Sequence, residues 1–130
     1  MKYSPISQDV EIIANKVFNC GLKVHRKLGA GLLESVYEVC LAHEIDQTGL
    51  KIERQIQLPV IYDGITFDAG MRLDLWIERR LIVEIKAVES LLPVHQAQLM
   101  TYLKLTKNRL GLLINFNVAL FKNGVKRVIL

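Results

Sequence analysis

Apolar residues recur at helical spacing near the start of the chain. Between residues 8 and 28 they fall every three or four positions, at Ile13, Val17, Cys20, Val24 and Leu28. This period predicts an amphipathic helix whose apolar side is buried. Ser7 is a suitable N-cap, and acidic residues follow it in the first turn, where the helix dipole stabilises them. Glycines at 29 and 31 then end the helix.

Two further helices follow from the same periodicity. The second is predicted over residues 32–48, with an inward side made of Leu33, Val36, Tyr37, Cys40 and Leu41. The third is predicted over residues 93–107, where Pro93 occupies a position that favours the first turn of a helix. Both segments are long enough to bury one side against a sheet.

The remaining apolar segments predict strands. Residues 51–60 alternate, with Arg54 on the apolar side, and Asp63-Gly64 predicts a tight turn into the next strand. Two apolar strands joined by a charged turn occupy residues 72–88, and residues 110–116 predict a strand buried on both faces. Asn123-Gly124 predicts a hairpin between residues 118–122 and 125–130. We find no repeat and no linker, so residues 1–130 are interpreted as a single α/β domain.

Composition and charge narrow the function classes. No apolar run approaches the roughly 20 residues of a membrane helix, and the N-terminus lacks the apolar core of a signal peptide. We therefore expect a cytoplasmic protein with no membrane partner. Residues 1–89 hold 11 Lys/Arg and 13 Asp/Glu, whereas residues 90–130 hold six Lys/Arg and no acid. Such a basic segment suits contact with a polyanion, and it equally suits a solvated surface.

Three charged residues interrupt the apolar strands of residues 72–88, namely Asp74, Glu84 and Lys86. If the turn centres on Arg79, Asp74 and Glu84 lie directly opposite each other. Glu84 and Lys86 are two residues apart and point to the same side of their strand. The three side chains should therefore converge, on condition that the register does not slip by one residue.

Two carboxylates at this spacing suit a hard divalent cation such as Mg²⁺, which uses one or two carboxylates and keeps several waters. Lys86 beside them could position a water or stabilise charge that develops on a phosphate. The structural alternative is a buried triad in which Lys86 only neutralises the two acids.

The arrangement of Asp74 followed by Glu84-Ile85-Lys86 resembles the core of the PD-(D/E)XK nuclease superfamily. In the third helix, Gln98 and Tyr102 form a Q-x-x-x-Y pattern that is similar to the signature of its exonuclease-like branch. The two residues are one helical turn apart and share a side. Ordinary helix packing would satisfy a lone Q-x-x-x-Y, but its position ten residues after the E-x-K strand favours the resemblance.

The resemblance extends over nearly the whole chain. Gly31-x-x-Glu34-x-x-Tyr37, followed by the motifs above, is similar to the GxxExxY proteins of that superfamily. The resemblance implies a restriction-endonuclease-like α/β core, in which helices flank a central mixed sheet. It also implies a metal site for Mg²⁺ or Mn²⁺, formed by Asp74, Glu84, the carbonyl of Ile85 and Glu34. Glu34 has an alternative as a plain surface acid.

The function implied is metal-dependent hydrolysis of nucleic acid, with DNA favoured over RNA. In this interpretation Lys86 activates the water, and Gln98 and Tyr102 orient the strand. The alternatives are a catalytically weak module that binds nucleic acid or a protein partner, and a structural protein with an ion cluster. A chain of 130 residues has little room for substrate recognition, so a homodimer could complete the site.

Overall fold

The structure, a computed structural model, describes residues 4–130, the side chain of Ala69 excepted. Three α-helices and five strands follow one another in the order ααβββαββ. The helices are α1 (Gln8–Leu28), α2 (Glu34–Gln47) and α3 (Pro93–Thr106). The strands are β1 (Ile52–Tyr62), β2 (Ile65–Ile77), β3 (Leu81–Lys86), β4 (Leu110–Asn115) and β5 (Val125–Ile129).

The five strands form one mixed sheet in the order β1-β2-β3-β4-β5. Neighbours are antiparallel except β3 and β4, which are parallel and joined by the crossover through α3. A parallel pair requires such a crossover, whereas antiparallel pairs close through short turns. The mixed α/β sheet predicted from the sequence is confirmed.

Helices cover both faces of the sheet. One core contains the buried sides of α1 and α2 together with alternate sheet residues such as Val83 and Ile85. The other core contains α3 residues together with Ile82 and Leu113 from the opposite face. All six residues of β4 are buried, as expected of a strand with both faces covered.

The helix bounds match the sequence-based expectations closely, and Ser7 accepts a hydrogen bond from the N–H of Val10 at the start of α1. Three predicted inward positions are wrong, and one of them, Val36, is 38% exposed on α2. Leu28 lies at the exposed end of α1, and Leu33 is 73% exposed just before α2 begins. Leu28 is the last residue of α1 and Leu33 is the N-cap of α2, so at both places the apolar period extends beyond the buried part of the helix.

The predicted turn at Asp63-Gly64 is confirmed, and both residues have positive φ angles (57° and 74°). The hairpin that it joins is longer than the rest of the sheet. Strand β3 pairs with β2 only over Leu75–Ile77, so residues 56–73 of the β1–β2 hairpin form a two-stranded arm without main-chain pairing to β3. The base of this arm adjoins the charged residues discussed below.

The predicted hairpin at Asn123-Gly124 is wrong. Residues 118–122 form no strand, and Phe121–Gly124 make one turn of 3₁₀ helix before β5. Strand β5 pairs directly with β4. A Cβ atom at Gly124 would overlap the carbonyl oxygen of Asn115, so glycine is required here for close backbone approach and not for a hairpin turn. Phe121 is buried against Phe18 and Phe116.

Candidate active site

Asp74 and Glu84 lie where the regular ladder between β2 and β3 stops. The last paired residues are Leu75 and Val83, and this register places Asp74 opposite Glu84, as predicted. One position further, side chains replace main-chain partners. The N–H of Asp74 donates to Oε1 of Glu84 (2.8 Å), and the N–H of Ile85 donates to Oδ2 of Asp74 (2.8 Å). Each carboxylate is thereby fixed by the backbone of the other strand.

The environment of this pair penalises negative charge. Glu84 is 3% exposed, and burial, followed by the negative charge of Asp74, raises its pKa from 4.5 to about 8. Burial also raises the pKa of Asp74, although its bond from Ile85 and the charge of Lys86 act in the opposite direction. Two like charges this close are unfavourable unless a proton or a cation lies between them.

A cleft of about 350 Å³ opens beside the carboxylates. Its lining residues come from the arm, from β2 next to the arm, from β3 and from α3, namely Gln57, Gly70, Arg72, Asp74, Glu84, Lys86, Gln98 and Tyr102. The structure therefore brings together five predicted residues, Asp74, Glu84, Lys86, Gln98 and Tyr102. The walls are mostly polar, which suits a charged ligand better than an apolar one.

Lys86 is half-buried at the end of β3 and lines the cleft. No ion pair among the described residues involves its amine. The buried triad in which Lys86 neutralises both acids is thus not formed, and the ammonium group is available to the cleft. Asn115 of β4 holds the segment that follows Lys86, because its side chain accepts from the N–H of Val88 and donates to the carbonyl of Val88.

Helix α3 presents Gln98 and Tyr102 one turn apart on the cleft side. Tyr102 is buried, and this burial, followed by the charges of Glu84 and Asp74, raises the pKa of its hydroxyl. It is therefore a neutral donor near the carboxylates. Gln98 is exposed and lines the cleft. His95 does not line the cleft; its Nδ1 accepts from the N–H of Leu92 and caps the helix.

Glu34 is the first residue of α2, and its side chain is exposed. Its charge contributes, as the smallest of five causes, to the shifted pKa of Asp74. Tyr37 determines where this helix begins, since its hydroxyl donates to the carbonyl of Gly29 (2.6 Å) and accepts from the N–H of Leu32 (3.1 Å). The ring stacks on Phe116 at 4.5 Å. The Gly-x-x-Glu-x-x-Tyr pattern thus has a structural basis in a turn held by its own tyrosine.

The sequence alone assigned no role to Glu38. Glu38 is 8% exposed, and its charge acts on both Asp74 and Glu84. It accepts from Arg54 (3.0 Å) and from Nε2 of Gln55 (2.6 Å). The signal was available, since Glu38 is one helical turn after Glu34 and so shares its side of α2. The sequence pattern placed Val36 on the inward side of α2 and therefore did not assign Glu38 to the buried side.

Arg54 and Trp76 each have defined structural partners. Arg54 pairs with Glu38, as just described, and so connects β1 to α2. The indole N–H of Trp76 donates to Asn108, and the guanidinium of Arg79 lies 4.6 Å from the centroid of its ring. Trp76 therefore packs the sheet against the loop after α3.

The predicted basic surface is dispersed. None of the six Lys/Arg residues between 90 and 130 lines the cleft, and two of them have partners elsewhere. Arg127 pairs with Glu11, and Arg109 donates to the carbonyls of Leu130 and Pro5. The cations beside the carboxylates are Lys86 and Arg72 instead.

The donor atoms at the cleft fit a hard divalent cation. Asp74 and Glu84 supply carboxylate oxygens, and a cation between them would relieve the repulsion that, after burial, raises the pKa of Glu84. Within residues 4–130, the side chain of Ala69 excepted, no group of three or more His, Cys, Asp or Glu converges to hold a metal. Two carboxylates with waters match the coordination habit of Mg²⁺, which rarely relies on a complete protein cage.

A larger cavity of about 430 Å³ lies between α1 and β5. Its wall includes Phe18, Leu112 and Val125, and Glu11 is its single acidic lining residue. It therefore offers no pair of carboxylates for metal-assisted chemistry.

The sequence model of the PD-(D/E)XK nuclease superfamily matches residues 11–128. This range contains every residue of the cleft and all three helices except the first turn of α1. No match to the chain is found among curated proteins. None of the helices in the described residues is long and apolar enough to cross a membrane.

Proposed function

The chain belongs to the PD-(D/E)XK nuclease superfamily, and we propose that it is a metal-dependent nuclease that hydrolyses phosphodiester bonds of DNA or RNA. We further propose that it is a member of the GxxExxY group of that superfamily. One observation carries the proposal. Asp74 and Glu84 are held opposite each other by the backbone of the neighbouring strand, and they face a polar cleft that also contains Lys86, Gln98 and Tyr102.

Asp74 and Glu84 would hold Mg²⁺ or Mn²⁺, with the carbonyl of Ile85 as a further oxygen ligand. Glu34, the fourth ligand that the resemblance implied, does not line the cleft in this structure, and it would act on the site through its negative charge. When bound, such a cation acidifies water and stabilises charge on a phosphoryl oxygen. Because both carboxylates are already fixed by hydrogen bonds, little conformational entropy is lost when they bind a cation.

Lys86 would orient the attacking water and stabilise negative charge on the phosphate, because none of the described acids lies within an ion-pair distance of its amine. Tyr102, which is neutral, would donate a hydrogen bond to the phosphate or to a carboxylate. Gln98, which lines the cleft, would orient the nucleic-acid strand that enters it.

A second candidate is a module on the same fold that binds nucleic acid without cutting it. The raised pKa of Glu84 favours this alternative, since a protonated Glu84 would let the pair persist at neutral pH without a cation. In that case the cleft would hold a phosphate by Arg72, Lys86 and Gln98 alone.

A cleavage assay separates the two candidates. Labelled single- and double-stranded DNA and RNA are incubated with the wild type, Asp74→Asn and Lys86→Ala, in EDTA, Mg²⁺ or Mn²⁺. Asp74→Asn keeps the shape of the side chain and an acceptor for the N–H of Ile85 while it removes the charge. Lys16→Ala is a matched control, because Lys16 is exposed on α1 and does not line the cleft.

We expect cutting that requires the metal, persists in Lys16→Ala and falls by at least about 100-fold in the other two variants. Binding that is retained without cutting of any substrate would favour the module. Cutting that survives in both Asp74→Asn and Lys86→Ala would show that this cleft is not the active site.

A further inference from the structure

Arg72 is the one cation of the cleft that the roles above do not use in hydrolysis. It lies on the arm, two residues before Asp74, with an exposed side chain that lines the cleft. Three other arginines, Arg54, Arg79 and Arg127, each pair with a glutamate. Among the described residues Arg72 has no acidic partner, although two carboxylates line the same cleft.

The position of Arg72 separates it from the carboxylate pair along the strand. The Cα atoms of residues i and i+2 of a strand are about 7 Å apart. The side chain of Arg72 therefore begins about 7 Å along the strand from that of Asp74. It is also carried by the arm, beyond the last residue of β2 that pairs with β3. Arg72 is therefore placed to contact a ligand that extends past the carboxylates toward the arm.

The charges of the cleft indicate how large that ligand is. With all four side chains ionised, Asp74 and Glu84 balance Lys86 and Arg72, so the lining is neutral. A divalent cation adds two positive charges. One phosphodiester would leave one of these charges unbalanced, whereas two neighbouring phosphates would balance both.

We propose that Arg72 binds the phosphate next to the one that is cut, so that the cleft selects strands with two consecutive phosphates over a single phosphodiester. This inference rests on the proposed nuclease function and specifies its substrate. A guanidinium group matches a phosphate with two parallel N–H donors, which a lysine amine cannot do. Arg72 is thus a specificity residue that does not touch the reacting atoms.

The test uses a trinucleotide of the sugar type that the enzyme cuts, in three forms. One form has both phosphates, and in each of the others one phosphate is replaced by a neutral methylphosphonate. The rate of cleavage at the remaining phosphate then shows how much the charge of the neighbouring phosphate contributes, while the size of the ligand stays constant. The wild type, Arg72→Ala, Arg72→Lys and Lys16→Ala are compared by kcat/KM, after thermal melts establish that all four are folded.

We expect neutralisation of the phosphate that Arg72 binds to lower kcat/KM of the wild type and of Lys16→Ala by about 10- to 100-fold, the range of a charge-assisted hydrogen bond. Arg72→Ala should be slower by a similar factor on the native trinucleotide and indifferent to that neutralisation. Arg72→Lys should retain part of the effect. If Arg72→Ala still loses the same factor as the wild type, the inference is overturned.

A binding measurement keeps the inference testable if nothing is cut. Calorimetry in Ca²⁺ compares the native trinucleotide with the two neutralised forms. Tighter binding of the native form by the wild type, lost in Arg72→Ala, would support the role of Arg72 even if the nuclease proposal fails. Equal binding of all three forms by the wild type would overturn the inference.

Discussion

At the scale of single residues, the site depends on a place where a strand ladder is interrupted by side chains. Asp74 and Glu84 accept hydrogen bonds that main-chain carbonyls accept elsewhere in the sheet. These bonds fix the two carboxylates, but they do not remove the repulsion between them. A proton can relieve the repulsion in the free protein, and a divalent cation can replace that proton. The same geometry thus serves two protonation states.

This competition predicts an unusual dependence of stability on pH. Glu84 has a pKa of about 8 in the folded protein and an ordinary value of 4.5 when exposed. Between these values the folded state binds more protons than the unfolded chain. The free energy of unfolding in EDTA should therefore fall as pH rises from about 5 to 8, with a slope of at most about 1.4 kcal/mol per pH unit for one proton.

Urea denaturation at several pH values in that window checks the prediction. Glu84→Gln should remove most of the slope, because its side chain cannot ionise. Glu89→Gln, at an exposed position nearby, is the matched control and should keep the slope of the wild type. A wild-type stability that stays constant or rises across the window would contradict the assigned direction.

At the scale of elements, the position of α2 relative to the sheet decides whether acids of that helix reach the carboxylate pair. Tyr37 holds the turn before the helix, and Glu38 holds the helix to β1 through Arg54 and Gln55. The two residues are adjacent in sequence and are both buried. Together they fix the position of α2, because Tyr37 holds the turn that starts the helix and Glu38 holds the helix to β1.

Removal of the Tyr37 hydroxyl should destabilise the fold while the ring remains stacked on Phe116. Tyr37→Phe leaves the carbonyl of Gly29 and the N–H of Leu32 without their partner. We expect the free energy of unfolding to fall by about 1–3 kcal/mol. Tyr62→Phe is the control, since Tyr62 is 72% exposed and should change stability little. Equal stabilities of the two variants in urea would count against the role of the turn.

Glu38→Gln should also lower the free energy of unfolding. The change removes the charge that strengthens the bonds from Arg54 and Gln55, at a cost of about 1–3 kcal/mol. It also removes a negative charge near Asp74 and Glu84, which is a gain. The loss should dominate, because the charge of Glu38 ranks last among the causes of the shifted pKa of Glu84 and below burial and the bond from Ile85 among those of Asp74. Urea denaturation in EDTA, with the exposed Glu34→Gln as control, should show the larger loss for Glu38→Gln.

The same elements indicate how far the sequence could determine the site. The register of β2 and β3 follows from local alternation and a short turn, so the pairing of Asp74 with Glu84 was predictable. The buried side of α2 was not, because Val36 fits the apolar period while Glu38 is buried only through partners distant in sequence. The C-terminal error has a similar cause, since Gly124 is selected by contact with Asn115 and not by its neighbours.

At the scale of the whole molecule, the two cores meet the site from opposite faces of the sheet. The core on the α1–α2 side contains Val83 and Ile85, and the core on the α3 side contains Ile82 and Tyr102. Glu84 lies between these buried neighbours in sequence and is itself buried. A ligand at Glu84 should therefore stabilise the entire fold and not only a surface loop, because both cores pack against the strand that carries it.

This position gives a prediction about metal binding that is independent of catalysis. Mg²⁺ or Mn²⁺ should raise the melting temperature, since a ligand that binds only the folded state stabilises it by about 2.7 kcal/mol at 100 times its Kd. The increase should be larger at pH 8 than at pH 6, because fewer protons then compete for the carboxylates. Asp74→Asn should abolish it, whereas Lys86→Ala should retain it, because an amine is not a ligand for these cations. An increase that persists in Asp74→Asn would place the metal elsewhere. If the wild type shows no increase at either pH, the carboxylate pair is a structural feature that protons alone neutralise, and the nuclease proposal loses its cofactor.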